Sequence, residues 1–501
     1  MEFVLLALIV IPLAVCPLFM LIPSQYPQLS RYLAALAAGA LFALSVLLFA
    51  AYEFDGGSGL RYELQWAWLE NIGFLGENGI TFYLGLDGIG APLVLLNGVV
   101  IFAAVFVSWN LANRTKDFFV LLFLLVAGVY GVFISQDLFF FFFWYEVAVL
   151  PMFLLIAVWG ASSEFGTFTR TKEYGAMKLT LMLVGGSVLV WVAIFALFVE
   201  ADAGTFDMTV LREATLDEDF QKWVYPLFMV GFGVLAGMWP LHTWSPDGHV
   251  AAPTGVSMLH AGVLMKLGAF GILRVGMTLL PEGAEFWAPV LMTLGVTGAV
   301  YGSVSALAQT DLKYMVGYSS VSHMGFVLMG LASMNEIGVN GAVLQMFAHG
   351  AMTALMFTSV GAIYDQAHIR DMTQFGGIAK RMPRHSAFFA IAGLSSLGLP
   401  GLAGFVAEFH IFVGVFEAGY WWAGGLGILS AAITATYILR MLSRAYFGPL
   451  NEKWAGLKEM RIGEQFAGVL LIAMILFMGL WPAPFIDRIS ETVEMIPGIV
   501  G

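Results

Sequence analysis

About fourteen runs of roughly twenty apolar residues recur along this chain of 501 residues, each closed by a short polar break. A run of that length is what an α-helix needs to cross about 30 Å of hydrocarbon. The runs lie near 2–22, 32–52, 87–109, 117–134, 137–159, 175–199, 224–245, 252–273, 286–307, 313–332, 337–364, 386–415, 419–447 and 464–482. With 60% hydrophobic residues, 11% charged residues and a mean hydropathy of +0.86, the chain has too little charge to coat a water-soluble domain of this size. It reads as an all-α polytopic membrane protein, a single transmembrane domain over 1–501. Met1 to Leu21 has neither a basic start nor a small-residue cleavage site, which predicts a retained first helix rather than a signal peptide.

Basic residues collect on alternate connections: Arg114 and Lys116; Arg170 and Lys172; Lys313; Arg370 with Lys380, Arg381 and Arg384; then Arg444, Lys453, Lys458 and Arg461. Those loops are expected on the cytoplasmic side of a bacterial-type inner membrane, with both termini outside. The opposite loops are acidic, Glu53 to Glu77 and Glu200 to Lys222, so the net charge of −12 reflects topology rather than a patch for cationic partners. The alternation checks the span count, because one missed helix would invert every later loop.

The single cysteine, Cys16, excludes a disulfide framework and any Cys-rich zinc or iron–sulfur site in this chain. No phosphate loop, nucleophile elbow, metal-spacing motif or basic nucleic-acid patch occurs. The Phe139 to Phe143 run reads as lipid-facing or packing bulk. What remains for chemistry is the movement of ions.

Two spans are broken in the same manner. One break is Trp239-Pro240-Leu241-His242-Thr243-Trp244-Ser245-Pro246-Asp247-Gly248-His249, and the other is Leu397-Gly398-Leu399-Pro400-Gly401-Leu402-Ala403-Gly404. Proline removes a backbone donor and clashes with the preceding turn. Irregular backbone at membrane depth is tolerated only against protein or a water-filled cavity. The breaks fall in the seventh and twelfth spans, five apart, and an odd repeat length forces two copies to be inverted. Two inverted five-helix repeats are predicted, near 117–273 and 286–447.

Ionisable residues within spans are functional candidates, since each charge there costs about 2.5–3.5 kcal/mol. Lys266 stands in an otherwise apolar run, Leu259 to Leu273; Glu146 lies about nine residues, or roughly 14 Å, into its span; Glu408 follows the second break by about two turns. The competing reading for each is a buried structural ion or a side chain that snorkels to the interface, and Lys178, near the start of its span, invites that reading most. His323 and His349 in successive spans suit proton carriage, since imidazole both gives and accepts a proton near pH 7. The alternatives are satisfied core histidines and axial haem ligands; the haem reading lacks a second histidine pair. His242, Asp247 and His249 at the first break form a candidate proton entrance, or else cap freed backbone groups.

The residues Phe143-Trp144-Tyr145-Glu146 with Pro151-Met152, Pro240-Leu241-His242-Thr243-Trp244 with Pro246-Asp247 and His249, Ala252-Pro253-Thr254, Ser319-Ser320-Val321-Ser322-His323-Met324-Gly325 and Ser395-Ser396-Leu397-Gly398-Leu399-Pro400-Gly401 together resemble the antiporter-like membrane subunits of respiratory NADH:quinone oxidoreductase, complex I. Glu408, where relatives usually carry lysine, and the short stretch after the last span favour the M type. The resemblance implies a fourteen-helix core, proton half-channels meeting on a central polar axis, and L-like and N-like neighbours in the bilayer. It implies no cofactor in this chain, with FMN, iron–sulfur clusters and quinone in partner subunits. One departure stands out: the family places a lysine seven residues before His242, where this chain has Leu235. That lysine would pair with Glu146, so its role passes to Lys178 or Lys266, or the first half-channel is altered. Competing functions are a cation/proton antiporter subunit of the Mrp type and a scaffold that has lost pumping.

Overall fold

Polar residues at the breaks decide where several of the spans begin. In the computed structural model, which describes residues 2–53, 59–73, 75–76, 79–165 and 168–499, the side chain of Asp137 accepts from Phe139 N and Phe140 N. Thr171, Asp217, Asp311 and Asn335 cap the sixth, seventh, tenth and eleventh spans in the same way. Such caps satisfy amide groups that a helix start leaves open. Glu77 of the first acidic loop lies outside the described residues.

Thirteen helices among the described residues are long and apolar enough to cross a membrane. The fourteenth span, twelfth in order, is two half-helices, Pro383–Ser396 and Ala403–Glu417. All predicted runs are therefore found, and the mostly helical architecture stands. The seventh span is longer than predicted: Glu218–Ala236, a break with a cis Trp239–Pro240 peptide, then Trp244–Ala251. Connections alternate between two faces. On the basic face, Lys116 Nζ donates to Ile22 O (3.3 Å), Trp159 Nε1 to Asn113 O (2.8 Å) and Ala161 N to Ala251 O (2.8 Å). On the other, Gly79 N donates to Gly204 O (2.9 Å) and Gly88 N to Thr492 Oγ1 (2.9 Å).

That second face carries structure the sequence reading treated as loop. Strands β1 (Arg61–Leu69) and β2 (Ile80–Leu86) pair antiparallel with Trp66 opposite Phe82, and an amphipathic helix, Ala483–Val493, buries Phe485, Ile489 and Val493. A second small hairpin, β3 (Ser163–Phe165) with β4 (Phe168–Arg170), lies on the basic face. The phenylalanine run is chiefly packing: Phe140, Phe141 and Phe142 are buried, and only Phe143 is exposed.

Span eight (Thr254–Met277), span ten (Leu312–Ala332) and span eleven (Glu336–Ala367) are buried almost throughout, whereas the first and last spans turn most residues outward. Hydrocarbon gives helices no hydrophobic reason to associate, so close backbone approach at small residues does the work. A Cβ added at Gly325 in span ten would lie 2.4 Å from Ala299 N of span nine (Pro281–Ala308). Gly325→Val is therefore expected to separate spans nine and ten and cost about 1–3 kcal/mol, read as a lower unfolding temperature in detergent. Gly425→Ala, with nothing within 4 Å of the added carbon, is expected to be neutral.

Candidate functional site

The interior spans put their few ionisable side chains next to one another. Span eight interrupts its α-helix with two π-turns, His260–Leu264 and Ile272–Met277, and Lys266 follows the first. Such wide turns leave carbonyls without their usual partners and recur at functional positions. Lys266 Nζ donates to one of them, Ala261 O, and lies 2.5 Å from His349 Nδ1 on span eleven. Both residues are fully buried.

The row continues from His349. Its ring centroid is 5.4 Å from that of His323 on span ten. His323 Nδ1 lies 3.5 Å from Glu408 Oε1 and 3.0 Å from Gln345 Nε2, while Nε2 lies 2.8 Å from Ser396 Oγ. One ring nitrogen thus faces both a donor amide and an acceptor carboxylate. Neutral His323 can accept from Gln345 there; protonated, it can donate to Glu408. Glu408 sits in the second half-helix of span twelve, and the break holds it in place. Gly398 has φ +73°, and a Cβ there would come within 2.8 Å of Glu408 Oε2. Four of the predicted residues, Lys266, His349, His323 and Glu408, therefore form one continuous line across spans eight, eleven, ten and twelve.

A fifth and sixth extend it. His249, in the half-helix Trp244–Ala251, has its Nε2 3.3 Å from Met265 Sδ, and its ring centroid is 4.1 Å from that of His260. Both rings are fully buried, and neither nitrogen of His260 has a hydrogen-bond partner among the described residues. His260 lies inside the Leu259–Leu273 run, which is therefore not apolar apart from Lys266. The available signal was a second titratable residue in the most buried span.

The remaining candidates fall elsewhere. His242, Asp247 and His249 do not form one cluster: the His242 ring meets Tyr301 edge-on at 4.9 Å, and Asp247 turns to the basic face. There it accepts from Lys178 Nζ (2.8 Å), from Arg170 and from Tyr314 OH (3.1 Å). Lys178 therefore does not take the place of the lysine missing at 235, and neither does Lys266, which is committed to His349. Glu146 is half-buried and keeps Oε1 without a hydrogen-bond partner among the described residues, while the nearby Ser187 Oγ donates to Leu183 O at 3.0 Å. Leu235 is buried in apolar packing. Among the described residues no group of three or more His, Cys, Asp or Glu has the arrangement of a metal site.

Residues 135–434 match the family described as NADH:quinone oxidoreductase/Mrp antiporter, transmembrane. This chain belongs to that family. Within it, the chain is 35% identical to NAD(P)H-quinone oxidoreductase chain 4 1 of Nostoc sp. strain PCC 7120 over 512 aligned positions, covering 99% of this chain and 93% of the relative. Among solved structures it superposes on a chain of respiratory complex I from Thermus thermophilus with bound NADH, with TM-score 0.86, 26% identity and 98% and 99% of the two chains covered. A chain of the Mrp complex from Dietzia sp. DQ12-45-1b shares the fold at TM-score 0.85 and 17% identity, covering 99% and 97%. The family resemblance read from the motifs is thus borne out over the whole chain.

The contact between Lys266 and His349 yields a stability prediction. His349→Leu leaves a buried amine with one partner fewer and is expected to cost about 1–3 kcal/mol, seen as a lower unfolding temperature, and Lys266→Met is the other single variant. The double variant Lys266→Met with His349→Leu is expected to recover most of that loss. Additive single effects in this double-mutant cycle would mean the two side chains do not interact.

Proposed function

We propose that this chain is a proton-translocating membrane subunit of an NADH:quinone oxidoreductase, moving protons along the Lys266–His349–His323–Glu408 row in response to quinone reduction in partner subunits. The continuity of that row is the observation that carries the reading. A neutral imidazole accepts a proton on one nitrogen and releases one from the other, so His349 and His323 can pass a proton between an amine and a carboxylate that are too far apart to exchange it directly. His249 and His260 extend the row toward the first helix break and form its feeding end. The sequence reading's two inverted repeats, near 117–273 and 286–447, would each contribute one broken helix to this axis. The basic face is the cytoplasmic one by its lysines and arginines. FMN, iron–sulfur clusters and quinone belong to neighbouring subunits, and L-like and N-like membrane subunits flank the chain.

Leu235 and the unpaired Glu146 support a modified first half-channel. Lys178 and Asp247 form an ion pair at 2.8 Å near the basic face, so this lysine is already engaged by another carboxylate. Glu146 in this reading exchanges protons without a lysine partner to bias it. The Mrp-type alternative shares the fold and differs in its partners.

Two experiments separate the readings. Affinity purification of the tagged chain from mild-detergent membranes is expected to recover flavin and iron–sulfur subunits with inhibitor-sensitive NADH:quinone activity; recovery with small membrane subunits alone would favour the antiporter. In the intact complex, Glu146→Gln is expected to lower the protons moved per electron by at least about twofold, on the scale of losing one positioned proton-transfer group. An unchanged ratio would place Glu146 outside the proton route and favour a scaffold role for the first half.

A further inference from the structure

The half-helix Trp244–Ala251 is held from outside its own half of the molecule. Its last carbonyls have no helical partners, and the end of a helix carries partial negative charge. Lys313, at the start of span ten, is buried and donates to two of these carbonyls, Val250 O at 3.1 Å and Ala252 O at 2.5 Å. Arg370, in the connection after span eleven, reaches Val250 O at 3.4 Å, Ser163 Oγ of β3 at 2.7 Å and Asp311 Oδ2 at 3.1 Å. Asp311 in turn caps span ten through Lys313 N (2.8 Å) and Tyr314 N (3.1 Å). Tyr314 OH bonds Asp247 on the flank of the half-helix. Span ten thus grips the half-helix at its end and on its side.

We propose that Lys313 is a positioning residue for proton transfer, fixing Trp244–Ala251 in register against span ten so that His249 meets His260 beside Lys266. The inference rests on the proton-translocation reading. The geometry makes the link specific. The half-helix carries Asp247 toward the basic face and His249 toward the central row, so a shift or rotation of these eight residues moves both at once. Span ten is continuous from Lys313 to His323, about 15 Å along its axis at 1.5 Å per residue. It therefore ties the two members of the row contributed by different helix systems, His249 and His323, to a common frame. Lys313 is suited to this because its head group carries donors and has no competing carboxylate contact among the described residues, and two carbonyls at a helix end, Val250 O and Ala252 O, accept from it. A proton relay built of ring-to-ring steps tolerates little displacement, since misplacement by about 1 Å is enough to slow a transfer severely.

The test uses the intact complex in sealed vesicles, measuring quinone reduction and protons moved per electron for Lys313→Met, Lys313→Arg, Arg370→Gln and, as a control, Lys266→Ala. Lys313→Met is expected to lower the ratio by at least about twofold in complex that still assembles, and Lys313→Arg, which keeps the charge and donors, to restore most of it. A cap that only stabilised the fold would lower yield and unfolding temperature and leave the ratio unchanged; that result overturns the inference. If Lys313→Met does not assemble, Arg370→Gln decides, with a lowered ratio supporting the inference and a normal one overturning it. Should Lys266→Ala also leave the ratio normal, the proton reading itself fails. If Lys266→Ala lowers it while the Lys313 and Arg370 variants do not, only the positioning role fails.

Discussion

Hydrocarbon supplies no hydrogen bonds, and every other feature of this molecule follows from that. Backbone groups must be satisfied inside helices, so the chain crosses as helices, and where the seventh and twelfth spans break, the interruption is partly covered: Met238, His242 and Leu402 are buried, while Pro240, Thr243, Leu399 and Pro400 are exposed. The same constraint governs side chains. Lys266, His323, His349 and Glu408 stand in the most enclosed part of the bundle, each within reach of another polar group. A lone charge there is expensive; a row of mutually adjacent polar partners shares that cost among several groups.

The breaks and the row are two aspects of one design. A continuous helix presents no free carbonyls at its middle, whereas the π-turn at His260–Leu264 leaves Ala261 O for Lys266, and the bend at Gly398 brings Glu408 level with His323. At the first break the free helix end is answered from a distance, by Lys313 and Arg370. Local irregularity in one span is thus compensated by a charged residue of another, which couples parts of the bundle that are far apart in sequence.

Much of this was legible in the sequence because membrane burial imposes a strong one-dimensional signal. All fourteen runs became spans, and Lys266, His323, His349 and Glu408 stood out as ionisable residues in apolar company. Other features were not legible, for reasons that are physical. β1 and β2 lie outside the hydrocarbon, where hydropathy carries little information, and the 61–69 segment mixes charged and aromatic residues without a clean alternation. The helix Ala483–Val493 is short and amphipathic, hence unlike a span. Pairings were harder still: Lys178 was a candidate partner for Glu146, yet the Asp247 carboxylate on the flank of the half-helix holds it, a contact between residues 69 apart that a linear reading cannot place. His260 stands in the same apolar company as Lys266 and was as legible; what a linear reading cannot show is its neighbour in space, His249.

The central claim is that protons travel along a side-chain row ending at Glu408. The most direct measurement is the number of protons translocated per electron by the intact complex carrying Glu408→Gln, which keeps the shape of the side chain and removes its ability to give up a proton. The account predicts an assembled complex that still reduces quinone when uncoupled but moves fewer protons per electron. An unchanged ratio in a fully assembled complex would contradict it.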